Sequence, residues 1–301
     1  MTDERAIVFG APRSGTTFLM SCLNGLAEAE CVSGNLLPVG IAHLAAQELP
    51  YYVRDALERS FRGSLADYLS SALYHSRSAA LRKWWASSRG LGDLRSAARG
   101  MRTESMLIYK EPFLAFAPEL AYDALPEARL FYIFRDGRDV ADSLVRSYDV
   151  LTDQRLADLE TNEAIIGRRV GDRYVPWWVA EGKEGAFLAA TPYIRAIWMW
   201  RAMIRKCQEF LDRPDVAESG RVLQIRYEDL VSDPLRQGET ILRHLGGQLT
   251  PRMRKRIQTA HSRSVGIHGR HEEGEILEAE RLAGPELEAL GYRLRQRDAS
   301  P

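Results

Sequence analysis

A short apolar run that ends in a glycine-punctuated polar loop and leads into a helix constrains this chain more than any other stretch. The run Ala6–Phe9 stops at Gly10, which is typical of a buried parallel strand. Beyond the loop, apolar residues recur at helical spacing, so the pattern predicts a helix that begins near Ser14 or Gly15. The unpaired N–H groups and the dipole of such a helix start favour an anion such as phosphate or sulfate.

The loop nearly matches the nucleotide-binding motif G-x-x-x-x-G-K-[ST]. Gly10 and Gly15 have its spacing, but Thr16 stands where the motif has a lysine. Because that lysine neutralises the terminal phosphates in phosphoryl transfer, an ordinary triphosphatase is disfavoured. A P-loop kinase is the alternative, and an activity that requires Mg²⁺ would favour it. The side-chain donors of the loop are Arg13, Ser14, Thr16 and Thr17.

The run Pro12-Arg13-Ser14-Gly15-Thr16-Thr17-Phe18 resembles the 5′-phosphosulfate loop of sulfotransferases that use 3′-phosphoadenosine 5′-phosphosulfate (PAPS). In that family a lysine or arginine precedes Ser-Gly-Thr-Thr, which an aromatic or aliphatic residue follows. The resemblance implies that these loop residues bind the phosphosulfate. It also implies that Phe18 lies against the adenine ring.

A second segment resembles the part of these enzymes that binds the 3′-phosphate. An apolar strand, Arg129–Phe134, runs into Arg135, and Ser143 follows eight residues later, which is the family's spacing. A guanidinium offers two parallel hydrogen bonds to a phosphate, and the serine lies about two helical turns further along the same face. The resemblance therefore implies that Arg135 and Ser143 hold the 3′-phosphate.

Two later segments also resemble elements of this family. Tyr227 opens a Tyr-Glu-Asp-Leu sequence after the last clear strand, and in the family this tyrosine approaches the nucleotide. The loop Ser264–Arg270, before an acidic helix, loosely resembles a Gly-Arg loop that closes on the 3′-phosphate. The resemblance thus adds Tyr227 and Arg270 to the expected cofactor-binding residues.

A further strand, predicted over Ser105–Tyr109, ends at Lys110 and Glu111. The carboxyl ends of parallel strands meet at one edge of a sheet, so both side chains are expected near Arg13. A lysine is common here in the family, whereas Glu111 departs from the usual Thr-Pro or Thr-His. We expect Arg13 and Lys110 to stabilise the charge that develops on the bridging oxygen.

The general base that deprotonates the acceptor is open at this stage. Glu111 is the carboxylate expected nearest the site. His43 and His75, in the helical region that follows the second strand, are the alternatives.

Composition limits the function classes. The formal net charge of zero gives no sign of non-specific nucleic-acid binding. The three cysteines follow no metal or disulfide spacing, and His268 and His271 lack a third ligand, so we expect no metal and a reduced, cytoplasmic setting. We also expect no signal peptide and no membrane span.

The pattern of elements predicts an α/β fold with three layers, a central parallel sheet and a P-loop-like strand–loop–helix start. One domain, 1–301, is expected, because 301 residues can bury a large core. A helical insertion, roughly 37–104, would shape the acceptor site. A glycine-rich segment, roughly 148–192, is a candidate mobile lid, and the sequence leaves open whether it is instead an ordered wall. Its Trp177-Trp178 could line an apolar acceptor pocket.

Taken together, the resemblance implies transfer of a sulfuryl group from PAPS to a hydroxyl or amine of a small-molecule, lipid or glycan acceptor. The sequence leaves the acceptor and the oligomeric state open. A non-enzymatic alternative is a PAPS-sensing module that binds the nucleotide without turnover.

Overall fold

The computed structural model of the protein describes residues 4–26, 29–33, 39–70, 106–158 and 167–295. The strands in these residues are β1 (Glu4–Phe9), β2 (Ala29–Ser33), β3 (Met106–Lys110), β4 (Arg129–Phe134), β5 (Gly167–Val170), β6 (Arg173–Pro176) and β7 (Val222–Arg226). A five-stranded sheet has the order β2-β3-β1-β4-β7 and pairs its strands in parallel. The predicted α/β fold with a central parallel sheet is confirmed. An antiparallel hairpin, β5–β6, lies outside this sheet.

Helices cover both faces of the sheet. Their bounds are α1 (Thr16–Leu23), α2 (Val39–Ala45), α3 (Tyr51–Ser70), α4 (Pro118–Ala124), α5 (Gly137–Tyr148), α6 (Asp153–Ala157), α7 (Glu184–Ala189), α8 (Pro192–Leu211), α9 (Pro214–Ser219), α10 (Tyr227–Ser232), α11 (Pro234–Leu245), α12 (Pro251–Ile257) and α13 (Glu273–Ala289). Short 3₁₀ turns occupy Pro112–Phe116, Ser262–Ser264 and Ile267–Arg270.

The two faces of β1 belong to two different apolar clusters. Ile7 and Phe9 point into the larger cluster, which includes residues of α4, α5, α8 and α13. Ala6 and Val8 point into the second cluster, with residues of α1, α11 and α12. Because successive side chains of a strand alternate between faces, an uninterrupted apolar run is what a strand covered on both sides requires.

The strand order creates a crevice at the carboxyl end of β1. After β1 the chain continues to β2 and β3 on one side, whereas β4 and β7 lie on the other side. Ligands of open α/β sheets bind at such a reversal of strand order. Val8 pairs with Lys110 and Phe134 pairs with Arg226, so the loops after β1, β3, β4 and β7 all emerge at this edge.

The predicted lid, 148–192, forms a packed wall where the structure describes it. It contains α6, the β5–β6 hairpin and α7, around a small apolar cluster of Leu156, Val175, Val179, Phe187 and Leu188. Arg195 of α8 is buried beneath this wall and donates to the carbonyl oxygens of Leu151 (2.8 Å) and Leu188 (2.6 Å). Its mobility stays a prediction, as do the single domain and the role of the insertion 37–104, of which 39–70 is described.

Candidate active site

The loop after β1 turns through three residues with positive φ, which are Gly10 (145°), Arg13 (73°) and Gly15 (100°). A Cβ on Gly10 would lie 1.9 Å from the carbonyl oxygen of Ile133. A Cβ on Gly15 would lie 2.5 Å from a ring carbon of Tyr227. Both positions therefore require glycine, for the backbone conformation and for the close approach of neighbouring groups.

The start of α1 offers hydrogen-bond donors to this crevice. The backbone N–H of Leu19 bonds to the carbonyl oxygen of Gly15 at 3.0 Å, so the earlier N–H groups of the helix have no partner within it. Ser14 is fully buried, and its Oγ has no hydrogen-bond partner among the described residues. An anion at the helix start would supply the acceptors that such donors need.

Arg13 joins the loop to α5. Its Nε donates to Ser143 Oγ at 2.9 Å, and its two other nitrogens approach Tyr148 Oη (3.3 Å) and Ser147 Oγ (3.4 Å). The guanidinium also lies over the Tyr148 ring, 5.2 Å from its centroid. The residue expected at the sulfate and the serine expected at the 3′-phosphate are thus within hydrogen-bond distance of each other.

Arg135 is 3% exposed and lies where four segments meet. It donates to the carbonyl oxygens of Arg13 (3.1 Å) and Ser264, and it lies 3.6 Å from Asp139 Oδ2. Its guanidinium stacks on Tyr227, 4.8 Å from the ring centroid. The Nε of Arg135 is buried without a hydrogen-bond partner in the described part of the chain. Arg135 therefore holds the predicted binding segments together and retains one donor.

The loop of residues 261–272, which precedes α13 and which we call the C-terminal loop, is hydrogen-bonded to α5 and α10. Asp139 of α5 accepts hydrogen bonds from Gly266 N (2.7 Å), His268 N (3.0 Å) and His268 Nδ1 (2.6 Å). Burial alone would raise the pKa of Asp139, but these hydrogen bonds outweigh it and lower the pKa. Tyr227 Oη and Ser264 Oγ are 2.8 Å apart. Arg270 is exposed and lies outside the cavity lining.

A cavity of about 810 Å³ opens beside these groups. Lys110 lines it at the end of β3, with its Nζ 3.4 Å from Thr17 Oγ1. The polar and cationic part of the lining includes Arg13, Gly15, Thr16, Thr17, Lys110, Arg135, Ser143, Tyr227 and Ser264. Phe18 lies among them. The apolar part includes Pro112, Phe113, Phe116, Leu144, Val150, Leu151, Pro176, Trp177, Trp178 and Met199.

The apolar part of the lining, which we call the aromatic wall, is built on Phe116. Its ring centroid lies 4.9 Å from that of Trp177 and 6.5 Å from that of Trp178. Trp178 in turn meets Phe187 edge to face at 5.5 Å. Because each ring packs on another, the wall presents a fixed apolar surface to a ligand.

Glu111 has a structural environment. It is 4% exposed and absent from the cavity lining. Its Oε1 accepts from Phe113 N at 3.1 Å, which caps the turn Pro112–Phe116, and its Oε2 lies 3.4 Å from Tyr109 Oη. Its role as the general base stays a prediction that this geometry does not favour.

The two histidines proposed as alternative bases are placed differently. His43 packs against Trp177, with ring centroids 4.7 Å apart, and does not line the cavity. Burial lowers the pKa of His43. His75 lies outside the described residues.

Several residues that line the cavity are not predicted by the sequence as site residues. His261 and Ser264 enter from the C-terminal loop, and Arg146, Tyr148 and Arg155 enter from α5 and α6. The helical period of α5 could have revealed Arg146, since it lies one turn after Ser143. No local pattern marks His261 or Arg155, because only tertiary packing brings them to the cavity.

The described residues contain no cluster of three or more histidine, cysteine, aspartate or glutamate side chains that could hold a metal ion. In the same part of the chain, no helix has the length and apolar character needed to span a bilayer.

We compared the sequence and the fold with those of known proteins. The model of the sulfotransferase family matches residues 6–189, which is more than half of the 301 residues. The sulfotransferase domain from the curacin biosynthetic pathway aligns with a TM-score of 0.50 and 17% identity, over 98% of this chain and 99% of that domain. The sulfotransferase from Alicyclobacillus acidocaldarius aligns with a TM-score of 0.47 and 17% identity, over 98% and 97% of the two chains. No curated protein matches significantly. The family prediction is confirmed, and the chain belongs to the sulfotransferase family.

Proposed function

We propose that this protein transfers the sulfuryl group of PAPS to a hydroxyl or amine of an acceptor and releases adenosine 3′,5′-bisphosphate. The observation that carries the proposal is the meeting of Arg13, Ser143 and Arg135 at the carboxyl edge of the sheet. The predicted sites for the 5′-phosphosulfate and for the 3′-phosphate adjoin there. PAPS, which carries both groups, requires two such neighbouring sites. Membership of the sulfotransferase family supports the same chemistry.

The residues fit the donor as follows. The N–H groups at the start of α1, with Thr16 and Thr17, would bind the 5′-phosphosulfate. Arg135 and Ser143 would bind the 3′-phosphate, and the buried, unpartnered Nε of Arg135 and Oγ of Ser14 are donors suited to an anion. The half-buried ring of Phe18 and the ring of Tyr227 would contact the nucleoside. Arg270 stays a predicted contact that needs the C-terminal loop to approach.

The reaction is a displacement at sulfur. The acceptor oxygen or nitrogen forms a bond to sulfur, and the bond from sulfur to the bridging phosphate oxygen breaks, which leaves negative charge on that oxygen. Lys110 and Arg13 are the cationic side chains placed to stabilise this charge. The proton of the acceptor leaves to a base.

The acceptor would lie against the aromatic wall. Stacked rings favour an acceptor with an apolar or aromatic body, and the adjoining cationic part of the cavity holds the reacting sulfonate. A small molecule, a lipid or an apolar glycoside fits this division.

Incubation with ³⁵S-labelled PAPS and a panel of phenols, alcohols, amines and glycosides tests the proposal. We expect label to pass to at least one acceptor class without added Mg²⁺, with equimolar release of adenosine 3′,5′-bisphosphate. Tight binding of the bisphosphate with no transfer would instead support the sensing module. Transfer of phosphate from ATP that depends on Mg²⁺ would support the kinase.

A further inference from the structure

Arg155 places an exposed cationic side chain in the cavity that the aromatic wall also lines. It belongs to α6, which packs against β6, and β6 ends at Pro176 and leads directly into Trp177 and Trp178. Arg155 and these three residues all line the cavity. The residues assigned to the donor come instead from the loop after β1, from α5 and from the ends of β3, β4 and β7.

The charge of Arg155 is not balanced within the described part of the protein. No ion pair or side-chain hydrogen bond forms between its guanidinium and another described residue. Asp153, on the same helix, is engaged elsewhere, because its Oδ1 accepts from Arg195 (2.7 Å) and Arg173 (3.1 Å). The described residues that line the cavity also include no carboxylate.

Two other arginines of the cavity each have a carboxylate partner. Arg135 lies 3.6 Å from Asp139, and Arg146 lies 3.3 Å from Asp142. Arg155 is exposed, so its guanidinium is accessible to a ligand. A guanidinium forms paired hydrogen bonds with a carboxylate, sulfate or phosphate. Arg155 thus has the chemistry of a binding site for a second anion, separate from the donor.

Resting on the proposed sulfotransferase function, we propose that Arg155 selects acceptors in which an apolar body with a hydroxyl or amine also carries an anionic group. The apolar body lies on the aromatic wall, the nucleophile faces Lys110, and the anionic group pairs with Arg155. The acceptor class is therefore an amphiphilic acid rather than a neutral alcohol.

Calorimetric titration of the protein saturated with adenosine 3′,5′-bisphosphate tests this assignment without requiring turnover. The probes are 3-(4-hydroxyphenyl)propionate and its methyl ester, which differ in the carboxylate charge. We expect the acid to bind about threefold to fivefold more tightly than the ester, as an ion pair to an exposed arginine allows. In Arg155→Gln this ratio falls to near one, Arg155→Lys keeps part of it, and the affinity for the bisphosphate is unchanged in both variants.

Arg146→Gln is the matched control, since it removes a charge from the same cavity that Asp142 already pairs, and it should preserve the ratio. Equal binding of acid and ester by the wild type, including no binding of either, overturns the assignment alone. A loss of bisphosphate affinity in Arg155→Gln also overturns it, because Arg155 would then belong to the donor site. Failure of the wild type to bind the bisphosphate overturns the proposed function and this inference together.

Discussion

Arg13 is the residue at which the loop after β1 meets the segment predicted to bind the 3′-phosphate. It is not glycine, yet its φ is 73°, a conformation that costs of order 1 kcal/mol or more for most residues. Its hydrogen bonds to Ser143 and Ser147 and its contact with the Tyr148 ring offset that cost. A strained backbone held by contacts with α5 is the kind of arrangement found at ligand-binding sites.

Lys110→Ala should lower turnover while PAPS binding is largely retained. The side chain reaches Thr17 at the start of α1, where the proposed mechanism has it stabilise the leaving bisphosphate. Loss of one such donor typically costs about 10²–10³ in rate. Single-turnover kinetics with saturating PAPS measures the effect. Lys206→Ala, an exposed lysine paired with Glu209 at 2.8 Å, is the control and should keep the wild-type rate. An unchanged rate in Lys110→Ala would remove Lys110 from catalysis.

Glu111→Gln separates a structural role from a catalytic one. The carboxylate caps a turn and is absent from the cavity lining, so we expect a modest loss of stability, about 1 kcal/mol, and a rate within tenfold of the wild type. Thermal unfolding and turnover are measured on the same samples. If Glu111 were the general base, the rate would fall by about 10²–10⁴ with little change in stability, which would contradict the structural role.

At the scale of the element, the C-terminal loop depends on one carboxylate of α5. Asp139 is 1% exposed and accepts three hydrogen bonds from Gly266 and His268. Asp139→Asn should therefore cost about 1–3 kcal/mol of stability and increase amide hydrogen exchange in the loop. It should also weaken the binding of adenosine 3′,5′-bisphosphate, because the loop and Asp139 both contact Arg135. Asp172→Asn, at an exposed position of the β5–β6 hairpin, should change none of these quantities.

The pH dependence of this element has a definite sign. The folded pKa of Asp139 is depressed, so its contribution to stability is fully present above the unfolded pKa of 3.8. That contribution is lost as the pH falls through the folded pKa. The difference in unfolding free energy between wild type and Asp139→Asn should shrink as the pH falls below about 4. A difference that grew on acidification would contradict the lowered pKa.

At the scale of the whole molecule, the sequence predicts the sheet better than the walls of the cavity. Arg129–Phe134 has the predicted bounds, because an uninterrupted apolar run between polar residues is an unambiguous pattern for a strand covered on both faces. β3 is displaced by one residue from its predicted position and includes Lys110, which its pairing with Val8 explains. A pairing partner distant in sequence cannot be inferred from the strand itself.

The packing of residues 148–192 cannot be predicted from the sequence, for a related reason. The sequence leaves open whether the region of the β5–β6 hairpin is a mobile lid or an ordered wall, since its glycines and charges give no clear period. The hairpin is linked to buried Arg195 of α8 through Asp153, whose Oδ1 accepts from both Arg195 and Arg173 of β6. Glu228 is similar. It lies in the first turn of α10 and accepts from Asp136 N (3.1 Å) and Tyr292 Oη (2.9 Å). Such long-range partners leave no local signal.

The central claim is that this protein recognises a nucleotide by its 3′-phosphate as well as its 5′-phosphate. Thermal unfolding in the presence of adenosine 3′,5′-bisphosphate, adenosine 5′-phosphate or ATP tests it most directly, because the first two differ only in the 3′-phosphate. At a hundredfold excess over its dissociation constant, the bisphosphate should stabilise the fold by about 2.7 kcal/mol and raise the Tm by several degrees. Adenosine 5′-phosphate and ATP should raise it far less at the same concentration. Equal shifts from all three nucleotides would contradict the assignment of Arg135 and Ser143 and, with it, the proposed function.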